Sequence, residues 1–296
     1  MLASPIVATV TPFRPDGSVD FAALGEYLAL LDHAGVTTVL VNGTTGEFAS
    51  LSVRERRQLT EYARAAWPHT LVVQVGACAV GEVIELVQHG NDFADYLAVL
   101  PPWFFADAPP AGIEDFLGQV LDHTRRPVLL YNFPRHTGNV LGPELVARLA
   151  SRFPLVCGVK DSGKDRAVTQ AYKTHCPRLQ VFAGDDRLAP HVTELGIDGV
   201  ATGAGGPVAE LPVRIAAAVA AGDTASARQV QAVFDVYTDA RKAMPLSDIA
   251  FAKAALSERL PGFPTSVRPP LSTATTQQAD AIRTLLRDTV LGRLHE

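Results

Sequence analysis

Cysteine is scarce in this 296-residue chain, and so are the marks of secreted, membrane-bound and nucleotide-binding proteins. The three cysteines, Cys78, Cys157 and Cys176, lie far apart in no metal-ligand spacing, and their odd number argues against a disulfide framework. No apolar run reaches the ~18 residues that a membrane span requires. Met1 to Pro5 lacks the basic and apolar regions of a secretory signal. A cytoplasmic protein with no membrane partner is expected. Basic residues are not in excess either. The 26 Lys and Arg stand against 31 Asp and Glu, a net charge of −5, which weighs against a nucleic-acid surface. Arg54-Glu55-Arg56-Arg57 interleaves both signs and reads as a solvated helix face. No Gly-x-Gly-x-x-Gly follows the first strand, and no P-loop sequence is present. Gly203-Ala204-Gly205-Gly206 is rich enough in glycine to cradle an anion, although such a cluster commonly makes a tight strand-to-helix connection.

What is present is a regular alternation, in a chain whose 47% apolar content suffices for a substantial core. Short β-branched runs at 6–10, 38–41, 71–75, 96–100, 127–131, 155–160, 179–183 and 199–202 read as strands. Helical periodicity follows each of them, at 21–34, from 52, at 81–93, 113–124, 143–152, 165–175, up to 195, and at 213–221. Ser52 and Glu55 have the spacing of a capping box. From Val10 to Thr202 the units average about 27 residues, the length of strand–helix repeats that build a parallel sheet. Eight such units predict a closed (β/α)8 TIM barrel over residues 1–222. The rival, a doubly wound open sheet, usually has fewer units and a glycine-rich nucleotide loop. Residues 223–296 hold only helical periodicity, broken at Pro245 and between Pro261 and Pro270, and read as a C-terminal helical extension packed on the barrel or used in oligomer contacts.

In such a barrel the chemistry gathers at the C-terminal ends of the strands. Strand six ends in Lys160 followed by Asp161-Ser162-Gly163. An inward lysine sheds its proton readily, because desolvation disfavours the ammonium, and a neutral amine attacks a ketone to form a Schiff base. Strand five ends in Tyr131, and consecutive strands pair at about 4.8 Å, so a phenol and an amine stand side by side at one mouth. A lysine committed to an imine cannot also move the protons of carbinolamine, imine and enamine formation, whereas a phenol within reach can. Strand two runs into Gly43-Thr44-Thr45-Gly46-Glu47, where two hydroxyls and nearby backbone N–H groups can bind a carboxylate and relay a proton. Metal catalysis competes poorly. Six of the eight histidines fall on expected helices or their ends and His295 in the tail, leaving His136 alone near the site, and Asp185-Asp186 without further ligands make a weak site.

These strand ends, in this order, resemble the dihydrodipicolinate synthase / N-acetylneuraminate lyase family of class I pyruvate aldolases. The motifs are Thr11-Pro12-Phe13, residues 43–47, Tyr131-Asn132-Phe133-Pro134 with Thr137-Gly138, Gly158-Val159-Lys160-Asp161, Gly184-Asp185-Asp186 and the tail Val267-Arg268-Pro269-Pro270-Leu271. The resemblance implies that Lys160 forms a Schiff base with pyruvate, that Tyr131 shuttles protons, and that Thr44 and Thr45 occupy the relay and carboxylate positions. It also implies backbone contacts near Gly184 and Ala201, no metal or organic cofactor, and a homo-oligomer, commonly a dimer of dimers. Dihydrodipicolinate synthases carry an arginine just before the Thr-Gly, where this chain has His136 with Arg135 one place earlier. They also carry a second relay tyrosine after strand four, where Phe104 stands here. The motifs look closer to the 2-keto-3-deoxy-sugar-acid aldolases, which implies cleavage or formation of a 2-oxo-3-deoxy acid from pyruvate and an aldehyde. The alternatives are condensation of pyruvate with aspartate semialdehyde, a related 2-oxo-acid dehydratase or hydratase-aldolase, and a non-catalytic 2-oxo-acid-binding protein.

Overall fold

A computed structural model of the chain describes residues 1–290 and 292, so His295 and the last residues of the extension lie outside the described residues. Eight parallel strands close into a barrel in chain order. They are β1 (Ile6–Ala8), β2 (Thr38–Val41), β3 (Thr70–Gln74), β4 (Tyr96–Val99), β5 (Val128–Asn132), β6 (Val156–Asp161), β7 (Gln180–Ala183) and β8 (Gly199–Thr202), with β8 returning to β1. Between them run α1 (Phe21–His33), α2 (Val53–Ala66), α3 (Val80–Phe93), α4 (Pro110–Leu121), the single turn α5 (Pro134–Thr137), α6 (Pro143–Arg152), α7 (Arg166–His175), the short α8 (Val192–Leu195) and α9 (Glu210–Ala220). The C-terminal extension supplies α10 (Thr224–Ala243), α11 (Asp248–Arg259) and α12 (Thr276–Leu285). The (β/α)8 barrel with a helical extension read from the sequence is the fold observed. No described helix is long and apolar enough to cross a membrane.

The strands are buried on both faces, as parallel strands covered by helices must be. Side chains alternate along each strand. Ile6, Ala8, Leu40, Val72, Ala98, Leu129, Phe182 and Ala201 fill the barrel interior, while Val7, Val39, Leu71, Leu97, Leu130, Val159, Val181 and Val200 face the helices. Helix starts carry the expected caps. Asp20 accepts from Ala23 N at α1, Asp165 from Ala167 N at α7, and Ser52 and Glu55 form the capping box at α2.

Three details differ from the sequence reading. β5 and β6 each run one residue further, so Tyr131 and Lys160 are the penultimate strand residues and Asn132 and Asp161 the last. The segment after β7 is a 3-10 turn over 186–191 followed by one α-turn, because Pro190 brings no N–H to a continuous helix. Arg56 is not on the solvated face. It is buried, and its guanidinium donates to Gly76 O, Gln74 O and Gln74 Oε1 at 2.6–2.9 Å.

The extension is tied to the barrel by charge as well as by packing. α10 lies along α9, and Arg259 of α11 pairs with Glu210 and donates to Pro207 O. Arg268 pairs with Glu55 of α2 and donates to Ser50 O and Gly17 O, both at 2.7 Å. The Arg268 guanidinium, aided by the Ser52 capping contacts, holds the Glu55 carboxyl at about 2, well below its ordinary 4.5. In that interval the unfolded chain binds the proton that the folded chain refuses, so this contribution to stability is complete above about pH 4.5 and is lost as pH falls through about 2. Urea unfolding as a function of pH should therefore show a flatter acid limb for Glu55→Gln than for the parent chain. An unchanged slope between pH 4.5 and 2 would show that the pair contributes nothing there.

Candidate active site

The site grows out of the pairing of β5 with β6. Tyr131 lies directly opposite Lys160, and Asn132 opposite Asp161. Lys160 is also the register partner of Phe182, which fills the barrel interior, so the lysine faces inward and Asp161 outward. The outward pair is a lock. Asp161, buried at the end of its strand, accepts from Asn132 Nδ2 (2.8 Å), Gly163 N (3.0 Å) and Thr169 Oγ1 (2.6 Å). Asn132 in turn accepts from Leu141 N. Close packing beneath the lysine needs Gly158, since a Cβ there would meet Gln180 O at 2.4 Å and Leu129 Cδ2 at 2.8 Å.

The inward pair carries the reactive groups. Lys160 is 6% exposed and Tyr131 2%, and the lysine Nζ sits 3.6 Å from the centroid of the tyrosine ring. The Tyr131 hydroxyl lies 3.4 Å from Thr44 Oγ1. Thr44 belongs to the turn after β2, closed by Gly46 N donating to Gly43 O and Glu47 N to Thr44 O. Thr45 packs on Gly203 after β8, where a Cβ would stand 2.6 Å from the Thr45 hydroxyl. The glycine-rich 203–206 stretch is thus a tight connection, and a Cβ on Gly206 would overlap the Tyr27 hydroxyl at 2.0 Å. Gly184 packs against Ser162 and donates to Asp161 O, and Ala201 belongs to the interior layer of the barrel. Phe48, Leu100 and Tyr131 form an apolar patch at the mouth, joined by Trp103 and Phe133.

Not every sequence-selected residue joins this cluster. The His136 ring packs edge-on against Phe133, 4.3 Å between centroids, and Phe133 stacks on Tyr131, so His136 and its neighbour Arg135 sit at the exposed rim. Partial burial and then the Arg135 charge push the His136 imidazole below its ordinary 6.5, with Asp248 acting against them. Phe104 is 86% exposed beside Phe105 at 75%, on a backbone with φ of 79°. The Asn139 side chain holds that loop by donating to Pro102 O and Phe105 O and accepting from Ala108 N. Asp185 caps the turn after β7, and burial pushes the Asp186 carboxyl up to about 6 against a Thr202 hydrogen bond. Among the described residues no three His, Cys, Asp or Glu side chains gather as a metal-ligating group.

Two functional groupings escaped the sequence reading. One is the Asn132–Asp161 lock, signalled only by a polar residue following each of two neighbouring strand ends. The other is Glu47, whose buried carboxylate pairs with Lys253 Nζ at 2.5 Å, 206 residues away. No local pattern announces that contact.

Comparison with known proteins agrees with the geometry. The model of the dihydrodipicolinate synthetase family matches residues 1–289. The 2-dehydro-3-deoxy-D-gluconate/2-dehydro-3-deoxy-phosphogluconate aldolase of Thermoproteus tenax is 33% identical over 237 residues, which cover 79% of this chain and 76% of that one. The 4-hydroxy-tetrahydrodipicolinate synthase of Acidithiobacillus ferrooxidans is 32% identical over 237 residues, covering 78% and 80%. Among solved structures, YagE of Escherichia coli K12, a prophage protein of the dihydrodipicolinic acid synthase family in complex with pyruvate, superposes with a TM-score of 0.89. It is 27% identical, over 97% of this chain and 98% of that one.

The lock is testable by itself. Asp161→Ala leaves the Asn132 amide and Gly163 N without an acceptor, each worth ~1 kcal/mol or more when buried, while Thr169 keeps Asp165 O, so unfolding in urea should show a loss of roughly 2 kcal/mol. A midpoint equal to that of the parent chain would show that Asp161 does not hold the strand ends.

Proposed function

The chain belongs to the dihydrodipicolinate synthetase family, and on that premise we propose that it is a carbon–carbon lyase acting through a Schiff base on Lys160. The observation that carries the proposal is the buried lysine amine seated over the Tyr131 ring, with the phenol within reach of Thr44. In the cleavage direction the Lys160 amine attacks C2 of a 2-oxo-3-deoxy acid and water leaves, giving the imine. Tyr131 takes the proton of the C4 hydroxyl, the C3–C4 bond breaks, the aldehyde departs, and the electron pair is held as the enamine. A proton returned to C3 and hydrolysis of the imine then release pyruvate and free the lysine. Thr44 passes protons to and from Tyr131, while Thr45 and the backbone around Gly43 receive the carboxylate. Backbone groups near Gly184 and Ala201 line the pyruvate end. The imine is the electron sink in this scheme, so it calls for no metal or organic cofactor.

The rim favours a sugar-acid aldolase over condensation with aspartate semialdehyde. A carboxylate-bearing aldehyde is best met by the bidentate, permanently charged guanidinium of an arginine. Here position 136 holds an imidazole pushed toward its neutral form, a group suited to hydroxyls. The named activity of the Thermoproteus relative supports the same substrate class, and the pyruvate complex of YagE supports the pyruvate half that both readings share. We also propose a cytoplasmic homo-oligomer, a dimer of dimers. Phe104 and Phe105 are held out by a hydrogen-bonded loop, an arrangement that a second copy would cover.

Borohydride reduction in the presence of pyruvate should add one reduced pyruvyl group, mapped to Lys160, and none to Lys160→Ala. Given time to equilibrate with pyruvate, Tyr131→Phe should still form the adduct, more slowly, while aldol cleavage falls by about 10²- to 10⁴-fold, the usual contribution of a positioned acid–base group. An unmodified intact mass would sink the proposal. Faster turnover with aspartate semialdehyde than with any 2-oxo-3-deoxy sugar acid would reassign the second substrate.

A further inference from the structure

The turn that carries Thr44 is strained at both ends and clamped at one. Asn42 and Glu47, which bracket it, both have φ of 56°, a left-handed backbone that non-glycine residues keep only where their surroundings enforce it. Asn42 is held by its side chain, which donates to Arg56 O and Thr60 Oγ1. Glu47 is held from the far end of the chain. Its Oε1 accepts from Lys253 Nζ and its Oε2 from Arg268 N at 2.9 Å. Lys253 also donates to Ser266 O at 2.7 Å and lies 4.2 Å from the centroid of the Phe13 ring. Both side chains of the pair are shut off from solvent, at 0% and 1% exposure.

A buried ion pair is a poor device for stability alone, because well-packed apolar residues of the same volume often do as well or better. What it does supply is a fixed position. Glu47 N donates to Thr44 O, so the clamp lies one hydrogen bond from the residue that faces Tyr131. That facing contact, Thr44 Oγ1 to Tyr131 OH at 3.4 Å, is already beyond the usual O–H···O range, so a few tenths of an ångström in the turn decide whether a proton can cross it.

We propose that Lys253 is a positioning residue that acts through Glu47 to set Thr44 against Tyr131, making the C-terminal extension part of the proton-transfer machinery. The inference rests on the Schiff-base reading of the site. Its footprint is specific. The relay also speeds imine formation, but the amount of imine at equilibrium is set by the Lys160 amine and the bound carboxylate, whereas the rate at which a C3 proton leaves the imine, its electron pair forming the enamine double bond, depends on the relay.

The test separates those two steps in the full-length chain. Glu47→Gln/Lys253→Met removes both buried charges together at similar volume, so neither is left unpaired, and thermal melting reports whether it folds. Two quantities are then measured with pyruvate: the borohydride-trapped adduct on Lys160, and exchange of the C3 protons for deuterium by NMR. The adduct yield and the KM for pyruvate should stay within about threefold of the parent chain, while C3 exchange and kcat fall by about 10- to 100-fold, the scale of a misplaced catalytic group. Exchange within about threefold of the parent, or an adduct that falls in step with exchange, would overturn the inference. If the double variant melts below the assay temperature, both measurements are made on the parent chain and the variant at a temperature below the variant's midpoint. Absence of an adduct in the parent chain would refute the Schiff-base reading itself, a result distinct from a failure confined to the variants.

Discussion

The site depends on the register of β5 against β6. Successive side chains of a strand point to opposite faces, so a slip of one residue would turn the lysine amine out of the barrel and bring a carboxylate in. The register is held from behind, by the outward pair Asn132 and Asp161, whose hydrogen bonds reach Gly163, Thr169 and Leu141. A polar cluster between sheet and helices thus fixes two reactive groups inside the barrel. Gly158 adds to the constraint, since only a residue without a side chain lets β6 lie so close to β7.

The opposite wall of the site is a turn, and a turn has no register to hold it. Its position comes from side chains. Asn42 is tied to α2 at one end and Glu47 to the C-terminal extension at the other. The Lys253 ammonium and the Arg268 guanidinium lie 4.2 and 4.4 Å from the centroid of the Phe13 ring, so the loops after β1 and β2 meet the extension in one network of charge and aromatic contacts. Burial draws the Lys253 amine down to about 8, while the Glu47 carboxylate beside it opposes that drift.

The barrel was legible because its signals are local and repeated. Eight short β-branched runs, each followed by helical periodicity, leave few other architectures, and Ser52 with Glu55 marks a helix start that the structure reproduces. The Tyr131–Lys160 pairing was legible for the same reason, since neighbouring strands in a barrel bring their ends together. What escaped depends on distance in the chain or on burial. Arg56 sits in a run of exposed charges, and only the fold shows that it reaches the carbonyls at the end of β3. Lys253 lies on an alanine-rich helix with no polar neighbour to suggest a buried partner. The outward display of Phe104 is set by Asn139, a residue in another loop.

Two features of the complex with pyruvate decide the chemistry: a covalent bond to Lys160, and the ligand carboxylate in the turn after β2. A crystal structure of the protein soaked in pyruvate tests both at once. The expected result is continuous density from Lys160 Nζ to C2 of the ligand, with the carboxylate on the Thr44-Thr45 turn and the Tyr131 hydroxyl beside the new bond. Density for pyruvate separate from Lys160, or joined to a different lysine, would contradict the account.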